Sequence, residues 1–266
     1  MKFFLVIFLF ITTTCFGQPW EAEIAAGISG YKGDLIKRNF TFTSIQPAIG
    51  VNLKYNIDNM FLVRAGISWL KVAADDKNNQ QDDIRARNLN FKSDILEANL
   101  CLEYNLLEPE IFHSYPYIFG GIGVYHFNSY TYDNSNNKTY LQPLSTEGQG
   151  LTAYPERKPY SQTQLCIPFG GGWKWNVSPR YQILYEIGYR ALFTDYLDDV
   201  SKTYVDPQLL LAARGPKAVE LAYRAQHGTG SYPFPQGPGD QRGNSNAKDW
   251  YFFNGIKLLV RLGKEY

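Results

Sequence analysis

The residue types that carry most enzyme chemistry are few in this sequence and lie far apart. Its three histidines are His113, His126 and His227. A hydrolytic nucleophile needs a general base within hydrogen-bond reach and a group that orients the base. His126 has Ser129 three residues later, but nothing around this serine resembles a nucleophile motif. We therefore expect His126 to be a polar rim residue, and no enzymatic activity.

Metal, cofactor and nucleic-acid sites are not indicated either. No two His or Cys residues have the spacing of metal ligands. Asp75–Asp76 and Asp82–Asp83 could hold a surface cation, but such pairs are more often solvated. Gly170–Gly172 lacks the helix that a phosphate loop requires. With 26 basic and 25 acidic residues, the chain has no basic excess for nucleic acid. We expect no cofactor and no small-molecule substrate.

The first residues have the pattern of an export signal. Lys2 precedes an apolar run, Phe3–Ile11, that is too short to span a bilayer as a helix. A small-residue cleavage site follows, so residues 1–17 are a predicted signal peptide and residues 18–266 the mature domain. Lipid modification of Cys15 is a less favoured alternative.

The mature chain contains about eight segments in which apolar and polar residues alternate. A period of two is typical of strands with one buried and one exposed face. Facing is ambiguous only in the glycine-rich fifth segment. The segments run from Trp20 to Tyr31, Ser44 to Ile57, Met60 to Val72, Phe91 to Leu106, Tyr115 to Ser129, Gln162 to Val177, Tyr181 to Phe193 and Asp249 to Tyr266.

Charged residues fall on one face of these segments and aliphatic residues on the other. An apolar face toward lipid and a polar face toward a lumen is the pattern of transmembrane barrels. Eight strands enclose a lumen that side chains can fill, so we expect a buried ionic network rather than an ion path. The residues predicted to face inward are Glu21, Glu23, Lys54, Arg64, Glu97, Glu103, Lys174, Glu186, Arg190, Lys257 and Arg261.

Two further sets of residues follow from the same pattern. Cys101 and Cys166 are on lumen-facing positions with one strand between them, so we expect two free thiols. Five tryptophans near strand ends are expected to form aromatic girdles at the membrane interfaces. These are Trp20, Trp69, Trp173, Trp175 and Trp250.

The connections between segments alternate between short and long. Short turns are predicted at Asn56–Asn59, Glu108–Glu110 and Asn176–Pro179. The long connections span residues 32–43, 73–90, 130–161 and 195–248. Short periplasmic turns and long extracellular loops are the rule for outer-membrane barrels. The sequence therefore predicts an all-β, antiparallel up-and-down transmembrane barrel in the outer membrane, with lipid as one partner.

The longest connection has further internal features. Pro207–Ala225 is predicted to be helical with a break at Gly215–Pro216, and residues 228–246 to be irregular. Asp198, Asp199 and Asp206 are interpreted as an acidic turn held by its own backbone hydrogen bonds rather than as a cation site.

Several short motifs carry a resemblance to a known family. They are Gly30–Leu35, Tyr196–Ser201, Thr203–Asp206, Arg242–Asn244 and Asp249–Tyr251. Together they resemble the PorG-like outer-membrane proteins of the type IX secretion system of Bacteroidetes. The motif residues of the long loop are Tyr196, Leu197, Asp198, Asp199, Val200, Tyr204, Val205 and Asp206.

The resemblance implies an accessory or structural role in protein secretion. Its partners would be the lipoprotein of a periplasmic ring and the subunit that accompanies it. The alternatives are a small transport or surface-binding barrel and, least favoured, a lipid hydrolase. Periplasmic contacts are expected at the short turns and at residues 264–266. The turn residues are Asn56, Asp58, Asn59, Glu108, Glu110, Asn176 and Arg180.

Overall fold

The computed structural model describes residues 20–36, 44–225 and 237–262. The predicted signal peptide with Cys15, His227 and the terminal residues 264–266 lie outside these ranges.

Strands dominate the described residues and close into a barrel. Eight strands form an antiparallel ring in which β1 pairs with both β2 and β9, and β4 pairs with β5. The short β6 extends the sheet at one end of β5. The strands are β1 (Trp20–Lys32), β2 (Gln46–Asn56), β3 (Phe61–Asp75), β4 (Asn90–Asn105), β5 (Ser114–Tyr132), β6 (Lys138–Tyr140), β7 (Thr163–Asn176), β8 (Tyr181–Leu192) and β9 (Trp250–Leu262). The predicted eight-stranded barrel is confirmed.

The alternation of the sequence sets the two faces of the wall. On β4, Leu96 and Leu100 are 56% and 51% exposed, whereas Glu97 and Glu103 are fully buried. The sequence left open which residues of β5 face inward. The structure places Tyr117 in the lumen and Ile118 on the outer face. An apolar outer surface around a polar interior is what a lipid-embedded barrel requires.

Connections at one end of the barrel are short, and those at the other end are long. Residues 57–60, 106–113 and 177–180 form the three short turns. The long connections carry the helices α1 (Asp82–Arg87), α2 (Pro207–Arg214) and α3 (Pro216–Ala222). Gly215, at φ +83°, separates α2 from α3, which confirms the predicted break. In the described part of the chain, no helix is long and apolar enough to cross a membrane.

At the long-loop end, several strands run further than the sequence predicts. β3 continues to Asp75, β4 begins at Asn90 and β5 continues to Tyr132. One of these extra residues, Ala74, joins a hydrophobic core between the barrel end and the loops, which also includes Val72 and Phe127. Because this core gives both the strands and the loops a buried surface, the strands extend beyond their lipid-facing part.

Candidate functional site: a filled lumen and a capped outer end

The lumen contains ion pairs that link strands from every side of the barrel. Glu103 is the hub of one group. Its carboxylate is 3.2 Å from Lys54 and 3.4 Å from Arg64, and it also pairs with Lys174. All four side chains are at most 3% exposed. One carboxylate contacted by three cations needs other carboxylates nearby to balance the charge.

Glu186 and Glu23 supply that balance. Glu186 lies 2.6 Å from both Arg64 and Lys257. Glu23 lies 2.6 Å from Lys54 and 3.0 Å from Lys257. Each of these three cations therefore bridges two carboxylates. Because burying an unpaired charge costs several kcal/mol, mutual pairing is what allows these groups to fill a closed interior.

The two ends of the lumen are closed by similar contacts. Toward the long loops, Glu97 accepts hydrogen bonds from Arg190 at 2.9 Å and from Tyr251 at 2.7 Å. Toward the short turns, Arg261 lies 3.5 Å from Glu21. All eleven residues predicted to face inward therefore form ion pairs, seven of them in one central group and four in two separate pairs toward the ends. Cys101 and Cys166 are buried and free.

Little space remains inside the network. A cavity of about 20 Å³ lies beside Arg64, Asn99 and Glu186, which is about the room that one water molecule needs. The five girdle tryptophans, in contrast, are 36–41% exposed on the outer surface. Charged side chains thus fill the middle of the described lumen.

The long connections fold over one end of the barrel and form what we call the outer cap, the described residues within 33–36, 76–89, 133–162 and 193–249. The motif residues Leu197, Val200 and Val205 are at most 2% exposed. Tyr196 stacks on Tyr160 with ring centroids 4.7 Å apart. The described part of the long loop is therefore packed into the fold.

The separate motifs of the sequence meet inside this cap. The Tyr31 hydroxyl is 2.5 Å from a carboxylate oxygen of Asp198 and 3.0 Å from one of Asp249. The backbone N–H of Asn244 donates to Asp34 at 2.7 Å. Residues from the ends of β1, the long loop and the start of β9 are thus joined by direct hydrogen bonds. Spacing along the sequence gave no indication that they would meet.

Arg242 anchors a second group in the cap. Its guanidinium lies 3.1 Å from the Glu147 carboxylate and 2.6 Å from the backbone oxygen of Asp199. Glu147 also accepts hydrogen bonds from the backbone N–H groups of Ser201 and Lys202, each at 3.0 Å. One buried ion pair therefore fixes the backbone of the long loop over several residues.

The acidic turn in the motif was predicted to be held by its own backbone, which is correct only in part. Asp198 accepts from the N–H of Val200 at 2.9 Å, and Asp206 caps α2. Asp199 instead accepts hydrogen bonds from Thr146 at 2.5 Å and Tyr160 at 2.7 Å. Burial raises the pKa of Asp199 to about 6, although Arg242 opposes the shift.

The prediction that Asp75–Asp76 is simply solvated is wrong for Asp76. Its side chain is fully buried and forms two 2.8 Å contacts with Arg87, a residue of α1. It also accepts the N–H of Leu89 at 2.9 Å. A buried carboxylate needs such partners, but the sequence did not indicate that α1 would turn Arg87 back toward it.

Gly243 marks a close approach of two backbone segments in the cap. A Cβ atom at this position would lie 2.5 Å from an Asp34 carboxylate oxygen and 2.6 Å from the backbone nitrogen of Ser201. No side chain fits there without movement of the loop. This position therefore requires glycine.

The predicted partner contacts lie at the short-turn end of the barrel. Asn59 donates to Glu110 across two turns at 2.9 Å, and Asp58 accepts the N–H groups at its own turn. Asn56 and Asn176 bond instead to the barrel residues Glu21 and Arg261. Arg180 is exposed and Glu108 half-buried. The role of these residues as partner contacts stays a prediction.

His126 and Ser129 are not brought together. His126 is exposed on the outer face, where Nδ1 lies 3.0 Å from the hydroxyl of Thr163. The Ser129 hydroxyl points into the cap and donates to the backbone oxygen of Leu197 at 2.5 Å. The two residues have opposite parity on β5, so they face opposite sides of the wall.

A polar cleft opens on the outer surface of the cap. Its volume is about 420 Å³, and its lining includes Arg157, Lys202, Gln241 and Asn244. Arg157 is itself held by the backbone oxygens of Glu147 and Thr203, at 2.9 and 2.8 Å. The sequence does not indicate this cleft, because its lining comes from three separate parts of the chain.

These features define a transmembrane β-barrel of the outer-membrane type, with a filled lumen and a capped outer end. The chain belongs to the family described as "Domain of unknown function (DUF6089)", whose model matches residues 1–208. A comparison with curated proteins gave no match.

Solved structures of outer-membrane barrels show a distant likeness to this chain. Neisserial surface protein A has 8% identity and a TM-score of 0.46, with 92% of this chain and 99% of that chain covered. A major outer membrane protein from Thermus thermophilus has 13% identity and a TM-score of 0.43, with 91% and 99% covered. OprG from Pseudomonas aeruginosa has 10% identity and a TM-score of 0.42, with 92% and 98% covered.

Proposed function

We propose that this protein is a non-enzymatic accessory barrel of the type IX secretion machinery of Bacteroidetes, and that its periplasmic end contacts the ring lipoprotein and its partner subunit. One observation carries the proposal. Three of the five motifs that resemble the PorG-like proteins supply the residues of one contact, that of Tyr31 with Asp198 and Asp249. These motif residues therefore meet in the folded chain, in a contact that strand alternation alone would not require.

The filled lumen supports a structural role. Arg64, Glu103 and Glu186 occupy the middle of the barrel and are at most 3% exposed. A solute would have to displace several mutually paired charges, each costly to leave unpaired. The work of such a protein is done at its ends and on its outer wall.

The periplasmic contact is expected at the exposed polar tips of the short turns. Asn59 and Glu110 join two turns into one surface, and Arg180 lies exposed on the third. Apolar side chains flank these tips, with Ile57 58%, Ile111 75% and Val177 59% exposed. A mixed apolar and charged surface is suited to a specific protein contact.

Affinity purification of the tagged protein from gently solubilised outer membrane, followed by mass spectrometry, tests the proposal. We expect ring lipoprotein and its partner subunit to co-elute with the wild type. Their yield should fall at least about tenfold for the variant with Asn59→Ala, Glu110→Lys and Arg180→Glu, the loss that removal of one or two central contacts causes. Glu156→Lys, an exposed change at the opposite end, is the matched control. A barrel that elutes alone would reject the secretion role.

The polar cleft in the cap favours a second candidate, a barrel whose outer surface binds a ligand. Arg157, Lys202 and Asn244 present charge and hydrogen-bonding groups at its lining. Screening wild type and Lys202→Ala against surface glycans and anionic ligands would test it. Binding that is lost in the variant would favour this role over a periplasmic one.

A further inference from the structure

Four aspartates and one tyrosine form a buried group where the cap meets the barrel, which we call the aspartate cluster. Asp198 and Asp249 are at most 1% exposed, and Asp34, Asp195 and Tyr31 are each 3% exposed. Tyr31 comes from the end of β1, Asp195 and Asp198 from the start of the long loop, and Asp249 from its end. The cluster thus fastens both ends of the loop to the barrel rim.

The hydrogen bonds of the cluster call for one more hydrogen than its phenol and ionised carboxylates carry. Tyr31 Oη lies 2.5 Å from Asp198 Oδ2 and 3.0 Å from Asp249 Oδ1. A phenol has one hydrogen to donate, so two good bonds require that one carboxyl group donates its own proton to the phenol oxygen. The other oxygens of the pair already accept backbone N–H groups, Val200 on Asp198 and Leu197 on Asp249, both at 2.9 Å.

Asp195 supplies an independent observation. Among the described residues, neither of its carboxylate oxygens has a partner in hydrogen-bond geometry, although the residue is 3% exposed. A buried ionised carboxylate without a donor is strongly disfavoured. Burial, with repulsion from Asp34, raises the pKa of Asp195 to about 7, although the nearby Ser201 side chain opposes the shift. When ionised, Asp195 also repels a negative charge on Asp249 and so helps to raise the pKa of Asp249.

The groups around Asp198 and Asp249 do not neutralise the charge of these two carboxylates. Tyr31, Asp34 and Asp195 face it from β1, the segment after β1 and the loop. Tyr160 and Arg87 also interact with Asp198, but Arg87 is already paired with Asp76. Glu147 and Lys248 are near Asp195. Within the described ranges, no group of three or more acidic, His or Cys side chains is arranged to hold a metal ion.

We propose that a proton shared by Asp198, Asp249 and Tyr31 latches the long loop to the barrel rim, and that the latch releases as the pH rises. This device is independent of any role in secretion.

The direction of the pH effect follows from burial. Burial is the main cause that raises the pKa of Asp198 and of Asp249 well above the usual range, and neighbouring carboxylates add to it. The latched state therefore retains a proton that the released state loses. Because opening releases one proton, the equilibrium constant for opening rises by up to about tenfold per pH unit.

Hydrogen exchange of the loop, measured on the full-length protein in lipid nanodiscs, tests the latch. The backbone N–H groups of Leu197 and Val200 report on it directly, because they donate to the two carboxylates. Above about pH 7, where Asp199 and Asp195 have already lost their protons, wild type should continue to lose protection, in excess of the change in intrinsic exchange chemistry. Asp198→Asn should keep the loop closed and remove this excess, since an amide can donate to Tyr31 without an added proton. Asp206→Asn, an acid outside the cluster, should behave like wild type.

A second readout does not depend on any variant. The infrared spectrum of wild type just above about pH 7, where Asp195 is already ionised, should contain the C=O stretch of a buried protonated carboxylic acid, and the band should fade as the loop opens. The proposal is overturned if that band is absent there, or if wild-type protection does not change as the pH rises further. It is also overturned if calcium restores protection and a chelator removes it, since a cation would then hold the cluster.

Discussion

Arg64 and Glu186 lie on strands that face each other across the barrel, and their side chains meet at 2.6 Å. β3 and β8 are separated by three strands in one direction around the ring and by three in the other. The contact therefore crosses the full width of the lumen. Buried ion pairs therefore brace the barrel across its width.

Removal of one partner of this contact should destabilise the barrel strongly. Arg64→Ala leaves Glu186 and Glu103 with fewer cations in a closed interior, and we expect a loss of about 3–5 kcal/mol in the free energy of unfolding. Arg64→Leu combined with Glu186→Leu should cost less, because apolar side chains replace both members of the buried ion pair. Urea-induced unfolding in lipid vesicles measures both. The exposed Arg180→Ala is the control, with an expected change within about 0.5 kcal/mol. If Arg64→Ala is as stable as the wild type, the buried ion pairs of Arg64 do not stabilise the barrel.

The lipid-facing wall should tolerate charge poorly at its middle. Leu100 is 51% exposed on the outer face of β4, midway between the Lys71–Asp94 pair and the short turn. We expect Leu100→Arg to cost about 2–4 kcal/mol, as charges do at the midplane of such barrels. Asp94→Asn removes only a partly exposed ion pair and should cost at most about 1 kcal/mol. The same unfolding assay compares the two variants. Equal losses of stability would mean that Leu100 does not lie at the midplane of the membrane.

A side chain at position 243 should loosen the cap without unfolding the barrel. Gly243→Ala introduces a Cβ within 2.5 Å of Asp34 and 2.6 Å of Ser201, so the long loop must move. We expect trypsin to cut the loop of this variant at least about tenfold faster, a change of about 1.4 kcal/mol in loop opening. Gly120→Ala is a matched control, because nothing lies within 4 Å of its Cβ. If both variants are cut like wild type, the close approach does not hold the loop.

The stability of the cap should fall as the pH rises from acid toward neutral. Burial raises the pKa of Asp199 to about 6 and that of Asp195 to about 7, against about 3.9 in an open chain. The folded cap therefore binds more protons than the opened loop, and stability present at about pH 4 is lost as the pH passes these values. For Asp199 the loss is about 3 kcal/mol.

Limited proteolysis between about pH 4 and 7 measures this slope. Asp199→Asn should reduce the slope and leave the part that Asp195 contributes, whereas Glu156→Gln, a change of an exposed acid in the same cap, should leave the slope unchanged. A cap that becomes more resistant as the pH rises would have the opposite sign to the one expected from buried, protonated carboxyls.

The barrel was predictable because each strand carries its own signal. Leu100 and Glu103 report their faces through alternation alone, and Glu186 could be placed in the lumen without knowledge of its partners. The cap was not predictable in the same way. Tyr31 and Asp198 are separated by 167 positions, and the contact of Asp76 with Arg87 depends on how a short helix turns back. Such contacts leave no periodic trace in the sequence.

Photocrosslinking in living cells tests the account most directly. A photoreactive amino acid in place of Glu110 would sit at the exposed tip of the β4–β5 turn, and the same residue in place of Glu156 would sit at the other end of the barrel. The account predicts crosslinks from position 110 to the ring lipoprotein or its partner subunit, and none from position 156. If position 110 gives no crosslink to a ring subunit while the amount of the protein in the membrane is unchanged, a periplasmic role in secretion is contradicted.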